Sequence, residues 1–187
     1  MTNFIGKLEV NDTLLLTDPC YDKGTWCTEK VELPHGTYSC FSEEKDGRVS
    51  QIFIVLDEDL EVSELRAGEA NGELGVDSGQ LGIFNISKYR EGVSKEVFED
   101  STKGDFPYED WKRNYDENES DEEKFYKCCC NYTLSKQRCG IIEGVGFVSS
   151  SGYGDGCYQF RILAHPTQDR VVGLAVDFIE DDEEFNY

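Results

Sequence analysis

Three short segments of the sequence combine side chains that can do chemistry with residues that form tight turns. They are Thr17–Tyr21, Gly75–Gln80 and Ser149–Tyr158, and each adjoins an apolar strand-like run. Glycine is needed where the backbone takes a positive φ or approaches another group closely. We therefore predict that the three segments form loops around one concavity. The residues expected to line it and bind a ligand are Asp18, Cys20, Tyr21, Asp77, Ser78, Gln80, Ser150, Ser151, Asp155 and Tyr158.

Each of the three segments carries one aspartate: Asp18, Asp77 and Asp155. Carboxylates that converge from separate loops can bind Mg²⁺ or Ca²⁺. Asp-Pro and Gly-Asp-Gly are also ordinary turn sequences, because Asp hydrogen-bonds to its own backbone. No loop shows the ligand spacing of an EF-hand, so neither a metal nor a cofactor is expected.

Covalent catalysis is a second option for these segments, with Cys20, Ser78 or Ser151 as nucleophile. Each of them needs a base, and the two histidines, His35 and His165, both lie in sequences typical of turns. The glycines lead into a strand and not into a helix, so they do not form a phosphate-binding loop. The catalytic residues of an enzyme therefore stay unassigned.

Binding fits these residue types better than catalysis. Hydroxyls, an amide and aromatic rings suit a small polar ligand in a pre-formed pocket. The alternative is structural, because polar turns also cap strands and satisfy one another's backbone groups.

Charge and composition limit the partners of the chain. The 187 residues carry a net charge of −21, with an isoelectric point near 4.3. Such a field repels phosphate backbones and anionic lipids, which argues against direct nucleic-acid and membrane binding. A basic protein partner, or mimicry of DNA by carboxylates, remains compatible with it.

The expected compartment is the cytoplasm. The first residues do not have the pattern of a secretion signal, and no window has the apolar length of a membrane span. The eight cysteines are then expected to be thiols. No Cys-x-x-Cys pair is present, so a closed zinc site is poorly supported.

Apolar residues alternate or form short runs between turn signals over most of the chain, which predicts strands. Strands without intervening helices indicate one mainly β domain over 1–187, a β-sandwich or partly open barrel. The final hairpin turns at 165–170, and its second arm is expected to be a central strand. The predicted strands are 4–10, 13–17, 36–41, 49–56, 75–84, 126–134, 140–149, 157–164 and 171–179.

An acidic insertion at 87–124 interrupts this series, and we expect it to be largely a surface loop with a short helix around 108–115. Tyr108, Trp111 and Tyr115 lie among its carboxylates, and such aromatics commonly anchor protein interfaces. The stretch from Glu91 to Glu123 is where a DNA-mimicking surface would lie.

Three motifs carry a resemblance to a known family: Asp18–Tyr21, Val76–Gln80 with Gly82–Phe84, and Val148–Tyr158. In these the chain resembles an uncharacterised family of small proteins from bacteriophages and Gram-positive bacteria. The resemblance implies no activity, cofactor or defined partner. It implies a phage setting, in which small proteins bind a host defence protein or sequester a signalling nucleotide in the host cytoplasm.

The function expected from these observations is non-enzymatic binding, of a small polar or nucleotide ligand or of a host defence protein. One alternative is a hydrolase that acts on a nucleotide or another small polar substrate. The other is an acidic DNA mimic that inhibits a nucleic-acid-binding protein.

Overall fold

The protein is a β-sandwich of two antiparallel sheets, and its computed structural model describes residues 1–59, 65–107 and 114–180. The first sheet has the order β1 (Thr2–Val10), β4 (Gly36–Lys45), β5 (Arg48–Leu56), β12 (Val171–Asp177), β11 (Gly156–Ala164) and β6 (Arg66–Ala67), and β7 (Gly72–Val76) also pairs with β11. The second sheet has the order β3 (Glu29–Val31), β2 (Leu14–Thr17), β8 (Gln80–Asn85), β10 (Gly146–Ser150) and β9 (Cys139–Ile142). Two helices, α1 (Lys95–Ser101) and α2 (Asp121–Leu134), and a 3₁₀ turn at Asp57–Asp59 complete the described elements.

The alternation of side chains along each strand explains the layers. In β2, Leu14 and Leu16 lie in the core between the sheets, whereas Leu15 belongs to a separate cluster on the outer face of the second sheet. Successive strand residues point to opposite faces, so a strand that is buried throughout must be covered on both sides. The second sheet is therefore the middle layer of the molecule.

Helix α2 and the segment before it form the third layer. Three aromatic rings pack together with centroids 5.2–5.4 Å apart. They are Phe84 of the second sheet, Tyr89 in the segment before α1, and Phe125 of α2. Phe98 of α1 is buried in the same cluster. The insertion predicted as a surface loop thus contributes buried aromatics and α1 to the core.

The segment 126–134 was predicted as a strand, and this is wrong, because it lies in helix α2. Its buried face is formed by Phe125, Cys128, Cys129 and the partly buried Tyr132, at the i, i+3, i+4, i+7 spacing of a helix. A capping box fixes the start: the Ser120 hydroxyl accepts from the Glu123 backbone N–H, and the Glu123 carboxylate accepts from the Ser120 N–H.

Two other predicted strands are each divided by a turn. The run 75–84 breaks at Asp77–Gly79, where it passes from the first sheet to the second, and Gly79 has φ +69°. The run 140–149 is the hairpin of β9 and β10, closed by the Val145 N–H donating to the Ile142 carbonyl at 2.9 Å. Apolar residues on both sides of a short turn give no break in the hydrophobic pattern.

The mainly β sandwich predicted from the sequence is confirmed, as is the final hairpin. Strand β12 lies between β5 and β11, so it is the central strand expected from its apolar faces. The helix predicted around 108–115 falls largely outside the described residues, and the described residues 114 and 115 are not helical. No helix in the described part of the chain is long and apolar enough to cross a membrane.

We expect Ser120→Ala to lower the free energy of unfolding by about 1 kcal/mol, because it removes the side chain that caps α2. Ser120→Asp keeps an acceptor at the cap and is the matched control. Urea denaturation of both variants measures the difference. Equal stability of Ser120→Ala and wild type would contradict the role of the cap.

Candidate functional site

The three polar loops lie at one end of the sandwich. Strands β2, β7 and β10 finish there, and β8 and β11 begin there. We call this region the motif end and define it by the segments 18–21, 77–79 and 151–155. The antiparallel pairing of β2, β8 and β10, and of β7 with β11, brings these segments together.

The carboxylate of Asp18 connects the first two loops. Asp18 is fully buried. Its Oδ2 accepts from the backbone N–H of Asp77 at 2.9 Å and of Ser78 at 2.6 Å. Its Oδ1 accepts from the Ser78 hydroxyl at 2.6 Å and from the backbone N–H of Cys20 at 2.8 Å. A buried carboxylate is stable only when such donors replace its water.

The third loop joins the second through the backbone. The Ser151 N–H donates to the Gly79 carbonyl at 3.0 Å, and a Cβ built on Gly79 would lie 3.7 Å from the Cα of Gly154. The Tyr158 hydroxyl lies 2.6 Å from the Gly154 carbonyl oxygen and 2.9 Å from that of Ser151, so it closes the loop from β11. Asp155 adjoins this contact.

The structure separates the ten predicted site residues by exposure. Asp18, Gln80, Ser151 and Tyr158 are buried, and their polar groups bind other parts of the protein. The Gln80 amide, for example, accepts from the Thr133 hydroxyl at 2.9 Å and donates to the Ser78 hydroxyl at 3.4 Å. Cys20, Asp77 and Asp155 are exposed, whereas Tyr21, Ser78 and Ser150 are half-buried.

The environment of the Cys20 thiol is unfavourable to a thiolate. Although Cys20 is exposed as a residue, partial desolvation of its thiol, and then the neighbouring Asp18 carboxylate, raise the pKa of Cys20 to about 12. Burial and the Asp77 carboxylate likewise raise the pKa of the Tyr21 phenol well above its usual range. Both side chains therefore stay protonated and neutral at physiological pH.

The two histidines lie far along the strands from the motif end. His165 follows the last residue of β11, whose nine residues span roughly 26 Å from their first residue at the motif end. Its Nε2 lies 3.8 Å from Asp59, which also binds Arg170 through both oxygens. His35 lies just before β4 and near Asp12. Asp12 precedes β2 whereas Asp18 follows it, so His35 lies at the other end of that strand.

Several residues that brace the motif end were not identified from the sequence. The Tyr89 hydroxyl donates to the Tyr21 carbonyl at 2.6 Å, and Arg90 contacts Asp22 at 2.6 Å and Glu122 at 2.9 Å. Burial raises the pKa of Tyr126, on α2 beside Ser78 and Cys130, to about 12. These residues lie in the insertion or in α2, where no glycine-rich signal marks them.

Of the three aromatics predicted to bind a partner, the structure describes Tyr115. Tyr108 and Trp111 lie outside the described residues. Tyr115 is half-buried, packs edge-on against Phe98 with centroids 5.5 Å apart, and lies 5.4 Å from the Lys124 ammonium. Its ring therefore belongs in part to the helical layer.

We expect Asp18→Asn to lower the free energy of unfolding by about 3 kcal/mol. The amide keeps the size of the side chain, but its NH₂ group would face donors that the carboxylate now satisfies. Asp77→Asn changes an exposed carboxylate and keeps the backbone N–H that donates to Asp18, so it should leave the free energy nearly unchanged. Denaturant titration of the two variants makes the comparison, and equal effects would contradict the special role of Asp18.

The Cys20 thiol should alkylate slowly at pH 8 in the folded protein. Only the thiolate reacts, so the rate should keep rising about tenfold per pH unit well above pH ~8.5, where an ordinary thiol is half ionised. Peptide mass spectrometry after iodoacetamide treatment gives the rate for Cys20, with the urea-unfolded protein as control. A folded-state midpoint near pH 8.5 would overturn this assignment.

Comparison with known proteins adds nothing to this geometry. No family model, no curated protein and no solved structure matches the chain. The resemblance to phage and Gram-positive bacterial proteins that the three motifs indicate stays a prediction. Any function has to be argued from the site.

Proposed function

We propose that this chain is a non-enzymatic binding protein that inhibits a protein partner through its motif end. The observation that supports this most directly is the state of Asp18. Its two carboxylate oxygens accept four hydrogen bonds from the protein itself, so this side chain holds the loops together and its lone pairs are already engaged. What these loops offer to a partner is a fixed shape.

The geometry argues against the hydrolase alternative. Cys20 and Ser78 lie beside the buried Asp18, but neither histidine lies near enough to act as their base. The raised pKa of Cys20 keeps its thiol protonated, and a protonated thiol is a poor nucleophile. With the histidines remote and Asp18 engaged by the loops, these residues support binding better than hydrolysis.

Electrostatics favours a protein over a nucleotide as the ligand. Asp77 and Asp155 are exposed on two of the three loops, and the whole chain carries a charge of −21. Phosphate groups would be repelled from such a surface, whereas a basic protein surface would be attracted. The alternative is a small uncharged polar ligand, and the capture experiment below distinguishes it from a protein partner.

The motif resemblance supplies the proposed setting. A phage protein of this kind acts in the host cytoplasm, where a host defence protein is the natural target of an inhibitor. A rigid acidic surface suits that role, because pre-organised loops lose little conformational entropy on binding.

DNA mimicry by the acidic insertion has less support. Several of its described carboxylates have intramolecular partners: Asp116 with Asn118, Glu119 with Lys127, Glu122 with Arg90, and Glu123 with Ser120. Carboxylates used in caps and ion pairs are less free to imitate a row of phosphates. The motif end is therefore the better candidate surface.

We expect the double variant Asp77→Lys/Asp155→Lys to lose a partner that the immobilised wild-type protein retains from host cytosol. The double variant Glu96→Lys/Glu99→Lys changes the charge by the same amount on α1 and should retain it. Mass spectrometry of the retained proteins and small molecules gives the readout.

The outcome that would contradict this proposal is equal retention by both variants. Recovery of an altered nucleotide after incubation would favour the hydrolase instead. Recovery of an intact small molecule without a protein would favour ligand sequestration.

A further inference from the structure

Trp26 is an exposed aromatic on a braced loop. Its side chain is 92% exposed, although it lies between Thr25 and the buried Cys27 in the loop that leads from β2 to β3. Holding a large apolar ring in water forfeits the stabilisation that burial would provide. Trp is also among the residues most often found at the energetic centre of protein interfaces.

The loop around Trp26 is fixed on both sides. On one side, the Tyr89 hydroxyl holds the Tyr21 carbonyl and Arg90 holds Asp22. On the other, the Gly75 N–H donates to the Cys27 carbonyl at 3.0 Å, and the Cys27 side chain occupies the space where a Cβ on Gly75 would lie. The ring is therefore presented by an ordered backbone.

Exposed carboxylates lie on the same loop and beside the strand that this loop contacts. Asp22 lies four residues before Trp26 and its side chain is 86% exposed. Strand β7 contacts the loop at Gly75. The exposed residues Glu73, in β7, and Asp77, directly after it, lie two positions to either side of that contact. At about 3.3 Å per residue, each is about 7 Å along the strand from Gly75.

The nearby cations compensate only part of this charge: Arg90 pairs with Asp22, whereas neither Glu73 nor Asp77 forms an ion pair with the described residues. Lys23 binds Glu91 at 3.1 Å, and Arg90 binds both Asp22 and Glu122. Lys30 on β3 points away from the core between the sheets, because its neighbour Val31 points into that core. The loop thus presents an exposed aromatic ring, and the carboxylates of Glu73 and Asp77 form an acidic rim beside the strand that the loop contacts.

We propose that Trp26, with Glu73 and Asp77, docks a lysine- or arginine-containing segment of a protein partner. This inference rests on the proposed function and specifies the partner's chemistry. A guanidinium or ammonium group is attracted both by the face of an indole ring and by carboxylates beside it. Charge repulsion disfavours a second copy of this chain as the occupant, since each copy carries −21.

A synthetic decapeptide with alternating arginine and glycine is the probe for this surface. In a Trp111→Phe background, Trp26 is the remaining tryptophan, so its fluorescence reports binding. We expect saturable quenching, with an affinity that falls as salt rises from 50 to 300 mM, because exposed charges are screened. A glutamate–glycine peptide of the same length should leave the emission unchanged.

Variants separate the ring from the rim. Trp26→Ala, followed by calorimetry, should weaken peptide binding at least about tenfold, and Trp26→Phe should recover part of it. Glu73→Gln/Asp77→Asn should reduce the salt dependence. The matched control Glu96→Gln/Glu99→Gln removes two carboxylates from α1 and should change neither.

The same variants distinguish this inference from the proposed function. Loss of the host partner in Asp77→Lys/Asp155→Lys together with unchanged capture by Trp26→Ala would overturn the docking site and leave the proposed function standing. Peptide binding that is insensitive to salt, or equal in Trp26→Ala and wild type, would also overturn the docking site. Capture that depends on neither the motif end nor Trp26 would overturn both.

Discussion

The carboxylate of Asp18 is a charge removed from water, and the motif end depends on the donors that compensate for it. An unpaired buried ion would cost several kcal/mol or more, so the four donors from Cys20, Asp77 and Ser78 have to be in place whenever the chain is folded. Those donors belong to two loops that are about sixty residues apart in sequence. Gly79 and Ser151 extend the connection to the third loop. One side chain therefore fixes the relative position of three strand ends.

This arrangement divides the polar residues of the motif end into two groups with different roles. The groups that satisfy one another, such as Asp18, Gln80 and Tyr158, are buried and hold the shape. Asp77 and Asp155 project from the loops that this framework holds, and they remain available to solvent. The structural and the binding interpretations of the motifs are thus compatible, because they apply to different side chains of the same loops.

The sequence pattern predicted the sandwich and the convergence of the motifs, because alternation and polar strand ends are local signals. It did not predict α2, since Cys128, Cys129 and Cys130 read equally well as a short apolar strand and the decisive capping residue, Ser120, lies outside that run. Trp26 was missed for a different reason. A single tryptophan in a loop has no periodic pattern, and its exposure depends on Cys27 meeting Gly75, a contact between residues far apart in the chain.

Net charge alone would assign the acidic insertion as the interaction surface, and the contacts of individual carboxylates change that assignment. Glu119, Glu122 and Glu123 are densely placed, but they pair with lysine, arginine and the cap of α2. Around Trp26 the carboxylates are fewer: Asp22 pairs with Arg90, but Glu73 and Asp77 form no ion pair with the described residues. An approaching cation responds to charge that is not locally compensated, and it gains most where an aromatic face excludes water beside that charge. The sparser acidic surface is for this reason the stronger candidate for recognition.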